Sequence, residues 1–119
     1  MFTPMPAPVK PPKLVSRDEA IELCELLYVE MSSHGFYPAL TGGLLYKPGR
    51  RKDIDIVIFR NRQSVSHFEM EELTPLLEKC GVKIINTYGF VTKAEWKGYT
   101  VDLFNPETEI NLDNEEYPV

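Results

Sequence analysis

The chain predicts an α+β fold, a mixed and mostly antiparallel sheet with two helices packed on one face. Three patterns carry that prediction. Apolar residues recur at helical spacing after Ser16, isoleucines occupy every second position through residues 53–59, and apolar residues return in three short runs after Gly81. At 119 residues there is room for one domain, and no apolar run approaches the roughly 20 residues of a membrane-spanning helix.

Residues 1–13 hold Pro4, Pro6, Pro8, Pro11 and Pro12, so a flexible proline-rich leader is expected there. The foldable domain spans 14–106 and an acidic tail spans 107–119. Ser16-x-x-Glu19 is a capping box that opens the first helix. Ala20, Leu23, Cys24, Leu27 and Met31 form its buried stripe, and His34-Gly35 stops it. Residues 37–46 read as a short strand running into Gly42-Gly43, and Lys47-Pro48-Gly49-Arg50 as a turn. Residues 53–59 are the clearest strand, with Ile54, Ile56 and Ile58 on one face. Ser66-x-x-Glu69 is expected to open a second helix that Cys80-Gly81 closes. Pro75 either kinks that helix or restarts it with Thr74 as a fresh cap. Strands at 82–87, 90–96 and 99–104 follow, with Lys97-Gly98 as a hairpin turn.

Charge is distributed unevenly. The net charge of −5 comes from the tail, where Glu107, Glu109, Asp113, Glu115 and Glu116 have no basic neighbour in sequence. Lys47, Arg50, Arg51, Lys52, Arg60 and Arg62 cluster within 16 residues. A neutral body with one basic patch suits a small polyanion and argues against extended double-stranded nucleic acid. Two cysteines make no disulfide framework and read as reduced thiols in a cytoplasmic protein. His34 and His67 have no cysteine pair to complete a zinc site.

The chemistry lies in the carboxylates. Asp53 and Asp55, two apart on a strand, leave the face opposite the isoleucines. Two acids held about 5–7 Å apart repel each other unless a cation lies between them, and phosphoryl transfer uses such an arrangement. Alone, an Asp-x-Asp is more simply two solvated acids on an amphipathic strand. Gly42-Gly43 strengthens the functional reading, because glycines there allow backbone amides to approach a phosphate. Asp102 has the matching phase: Val101 and Leu103 face the core, so Asp102 turns to the same side as the other acids if the two strands are neighbours. Tyr88, Phe90, Trp96 and Tyr99 read as cross-strand packing around the hairpin.

Leu40-Thr41-Gly42-Gly43, then Asp53-Ile54-Asp55-Ile56-Val57-Ile58, then Val101-Asp102-Leu103 together resemble the nucleotidyltransferase superfamily typified by DNA polymerase beta. The resemblance implies a minimal, Mg²⁺-dependent nucleotidyltransferase moving NMP from an NTP to a hydroxyl on a small molecule, an RNA end or a protein. It implies two Mg²⁺ ions, or Mn²⁺, held by Asp53, Asp55 and Asp102 as the metal and catalytic set. Gly42 and Gly43 would hold the phosphates, and Arg50, Arg51 or Lys52 would neutralise leaving pyrophosphate. The competing expectation is a catalytically silent module of the same fold that binds a protein partner, as in a toxin–antitoxin-like pair.

Overall fold

The computed structural model describes residues 13–108. The expected leader and tail therefore lie outside the described residues, apart from Lys13, Glu107 and Thr108.

Helix α1 (Arg17–Met31) begins at the capping box read from sequence. The Ser16 hydroxyl accepts from Glu19 N–H at 3.2 Å, and Ser16 N–H donates to Glu19 Oε1 at 3.1 Å. Two of the four backbone donors a helix leaves unpaired at its start are thereby addressed locally. Ala20, Leu23, Leu27 and Met31 form the buried stripe. A 3₁₀ turn over Ser32–His34 ends on Gly35, whose φ of 85° reverses the chain into strand β1 (Phe36–Thr41). A four-residue helix α2 (Gly43–Tyr46) comes next, then strand β2 (Asp53–Arg60).

Helix α3 (Thr74–Lys79) follows a 3₁₀ segment at Met70–Leu73. Strands β3 (Val82–Tyr88), β4 (Val91–Trp96) and β5 (Tyr99–Phe104) complete the chain.

Two local expectations are corrected. Residues 44–46 do not extend the strand: Lys47 N–H donates to Gly43 O at 2.9 Å, closing a helical turn. Arg17 fixes that turn from outside, donating to Leu44 O at 2.5 Å and Leu45 O at 3.2 Å. Nor does the second helix open at Ser66. The capping box is built by Glu69 and Glu72, and α3 starts afresh with Pro75 in its first turn. A proline there gives up an N–H that has no helical partner anyway, so restarting costs less than kinking. Thr74 is the first helical residue, not the cap, and its hydroxyl donates to Glu71 O at 2.6 Å.

The five strands form one sheet in the order β1-β2-β5-β4-β3. Its central pair, β2 and β5, is parallel and the other neighbours are antiparallel, so the fold class is α+β with a mixed sheet as predicted. Helix α1 packs on β1, α3 packs on β3, and the two helices touch. Ile54, Ile56, Ile58, Val101 and Leu103 lie fully buried beneath that layer. Each such side chain contributes about 1.5–3 kcal/mol of burial, which fixes which face of β2 points inward. The β4–β5 hairpin turns on Lys97 (φ 51°) and Gly98 (φ 80°), the two positive values a tight primed turn needs. That turn sets the pairing from Trp96↔Tyr99 back to Lys93↔Asp102.

Candidate active site

The face of the sheet away from the helices carries the acids. Thr41 pairs with Asp55, Asp55 with Asp102 and Asp102 with Lys93, making one row across β1, β2, β5 and β4. Asp53 stands two residues back along β2, opposite Thr100. The three aspartates thus share one face, and Asp55 and Asp102 are direct cross-strand neighbours. Burial grades across them: Asp53 is exposed, Asp55 half-buried, and Asp102 only 7% exposed.

Burial pushes the Asp55 carboxyl up to about 6, and the negative charges of Asp102 and Asp53 push the same way, against the opposing pull of Lys93. Lys93 Nζ lies 2.8 Å from Asp102 Oδ1. The contact is an ion pair without hydrogen-bond angles, so this buried oxygen has a charge partner but no well-aimed donor. Among the described residues, no three carboxylate, histidine or cysteine side chains stand close enough to form a ready-made cation cage. The donor chemistry still fits a hard divalent ion: Lys93 apart, the row offers only carboxylate and hydroxyl oxygens, one of them buried without a hydrogen bond.

The double glycine meets these acids directly. Gly42 has φ 73° and ψ −156°, a conformation essentially confined to glycine. A Cβ at Gly42 would stand 2.9 Å from Asp55 Cγ and closer still to Oδ2. Glycine is therefore required twice, for the backbone and for the carboxylate. At Gly43 a Cβ would touch the Arg51 side chain at 3.4 Å.

Arg51 is set by a bridge to the segment before α1, with Val15 N–H donating to Arg51 O at 2.8 Å and Arg51 N–H to Val15 O at 3.0 Å. Its Nε is buried without a partner. Gly43, Arg50, Arg51, Lys52, Asp53, Asp55 and Leu14 line one recess of about 400 Å³. The glycine, basic and acidic candidates are thus brought together.

The basic residues divide into separate groups. Arg50 pairs with Glu19 Oε1 at 3.2 Å. Arg60 and Arg62, at the opposite end of β2 from the site's basic trio, each reach Glu107 at 3.2 Å. Burial opposes the Glu107 charge, but the Arg60 hydrogen bond and both arginine charges outweigh it and lower its pKa. The first acid of the expected tail therefore docks on the domain, and the single basic patch read from sequence splits in two.

Lys93 is the member of the row that motif reading passed over. Its signal was the Lys97-Gly98 turn, since a two-residue loop there places Lys93 opposite Asp102. A second, apolar recess of about 440 Å³ adjoins the row, lined by Thr41, Val57, Phe90, Phe104 and Pro106 among others. Phe90 packs on Phe104 at 6.2 Å and Trp96 on Tyr99 at 6.1 Å, in line with the cross-strand reading.

The cysteines are poor nucleophiles. Burial, helped by Glu25, pushes the Cys24 thiol up to about 11, and burial with Glu30 raises Cys80. His67 meets Glu69 at 3.1 Å at the surface. No protein-family model matches the chain, and no curated protein matches it.

Proposed function

We propose that the protein is a magnesium-dependent nucleotidyltransferase that moves NMP from an NTP, such as ATP, to a hydroxyl acceptor. One observation carries the reading: Gly42 is packed against the Asp55 carboxylate, which is paired across parallel strands with Asp102. A purely structural sheet gains nothing from burying two like charges against an obligatory glycine. The recess beside them offers Arg51 and Lys52 to a polyphosphate, next to the Gly43 backbone.

Bound Mg²⁺ would supply the charge that holds the triphosphate and eases deprotonation of the attacking hydroxyl. Asp53 and Asp55 would hold it, with Mn²⁺ an acceptable substitute. In the transfer, the acceptor oxygen forms a bond to the α-phosphorus, and the bond from that phosphorus to its bridging oxygen breaks. Pyrophosphate leaves with the electron pair beside Arg51 and Lys52, and the hydroxyl proton passes to Asp102. The acceptor is a small molecule, an RNA end or a protein. No helix among the described residues is long and apolar enough to cross a membrane. The two free thiols suit a cytoplasmic setting.

A second reading has its own support. Lys93 already neutralises Asp102, as it would in a silent module that uses the fold to bind a protein, for instance the other half of a toxin–antitoxin-like pair. The two readings separate in one experiment. The protein is incubated with each α-labelled NTP, Mg²⁺ or Mn²⁺ and cell lysate as acceptor source. Label transfer with pyrophosphate release, abolished in Asp53→Asn, supports the enzyme. Absence of transfer from every NTP, with no rise in Tm on adding Mg²⁺ and NTP, supports the silent module.

A further inference from the structure

The row Thr41–Asp55–Asp102–Lys93 places an ammonium where the superfamily resemblance leads one to expect a second divalent ion. Register fixes this placement, because Lys93 is the cross-strand partner of Asp102 on β4 and cannot leave that position without shifting the hairpin. Its Nζ stands 2.8 Å from Asp102 Oδ1, a normal separation for a charged N–H and a carboxylate. The Asp102 side chain is 11% exposed, so water cannot readily replace that partner, whereas the Lys93 side chain is 44% exposed.

A divalent ion on the same oxygen would need the space the ammonium fills, at about 2.0–2.1 Å for Mg²⁺. It would also face the ammonium's charge at close range in a partly desolvated setting. Charge balance agrees. Before any triphosphate arrives, the carboxylates of Asp53, Asp55 and Asp102 with the Lys93 ammonium leave two negative charges, which one divalent ion cancels.

We propose that Lys93 is a built-in cation of this site: it replaces one of the two metal ions at Asp102, so the chain binds a single divalent ion, at Asp53 and Asp55. The inference rests on the nucleotidyltransferase reading and goes beyond it in the number of ions and in the role of Lys93. With Asp102, Phe90 and Phe104, Lys93 lines a recess of about 300 Å³, and it brings fixed positive charge there without a second metal equilibrium.

Mn²⁺ titration of the full chain, read by electron paramagnetic resonance and calorimetry, tests this without any activity assay. Wild type should bind one Mn²⁺ per chain and Asp55→Asn none. Lys93→Met, which keeps stem length and removes charge, should bind two. Lys93→Arg should remain at one. Two ions in wild type, or one in a folded Lys93→Met, overturn the role of Lys93 and leave the nucleotidyltransferase reading standing. No Mn²⁺ bound by either wild type or Lys93→Met overturns both. Should Lys93→Met fail to fold, Lys93→Gln takes its place, and the wild-type count alone still refutes the inference if it is two.

Discussion

Glu19 at the start of α1 and Asp55 in the middle of β2 are both partly shielded carboxylates, yet their surroundings drive them in opposite directions. Glu19 is surrounded by donors. The Tyr99 hydroxyl and the Ser16 hydroxyl and backbone hold its pKa down to about 2 against the opposing effect of burial, with further help from the Arg50 guanidinium. Asp55 is surrounded by loss of water and by other acids, and stands at about 6. The first acid stabilises the fold that contains it. The second is tolerated at a cost, and the cost falls on the face where Gly42, Arg51 and Lys52 converge. A satisfied acid marks architecture; a frustrated one marks a candidate site.

The contrast can be broken most forcefully at Gly42. Gly42→Ala forces a side chain into a backbone region that excludes it and against the Asp55 carboxylate, so a loss of roughly 2–4 kcal/mol is expected. Urea unfolding measures it, and a loss under about 0.5 kcal/mol would mean that the Asp55 carboxylate moves aside freely. Gly42→Ala/Asp55→Gly should recover part of the loss, because the clash is with that side chain.

Asp55→Asn should act in the opposite direction. A carboxyl whose folded pKa lies above its unfolded value destabilises the fold once it ionises. The penalty is absent below about 3.8 and complete above about 6. At pH 7.5 the variant should be more stable than wild type by about 1–2 kcal/mol, the full shift being discounted for partial exposure. Below pH 4 the two should melt together. Added Mg²⁺ should raise the Tm of wild type alone.

The smallest effect is expected at Glu19, with the sign reversed. Its depressed pKa means a stabilising contribution that is present above about 4.5 and lost as pH falls towards about 2. Glu19→Gln should therefore lower Tm at pH 7 and converge on wild type in acid. A variant that melts higher at neutral pH would show the donors around Glu19 to be crowding it instead of satisfying it.

Much of this was legible in the sequence where the cause is local. The Ser16–Glu19 box, the isoleucine alternation of β2 and the Lys97-Gly98 turn each depend on residues a few positions apart, so pattern alone placed them. The same alternation put Asp53 and Asp55 on the open face, and the phase of β5 put Asp102 there conditionally. Local reasoning erred where two local signals competed. Ser66-x-x-Glu69 looked like a cap, but Pro75 at the start of α3 and the Glu69–Glu72 box set the boundary instead.

By itself, then, the sequence determined the elements, their inward faces and the identity of the acids, because burial period and backbone φ are properties of a short stretch of chain. Tertiary structure alone decided which strands are neighbours. The parallel pairing of β2 with β5 sets Asp55 beside Asp102, and the Val15 bridge brings Arg51 over Gly43. It also sent Arg60 and Arg62 to Glu107 and away from the basic trio. Charges act through space and are indifferent to sequence separation, so the pairing that leaves Asp55 frustrated and Asp102 neutralised by Lys93 exists only once the sheet has closed around them.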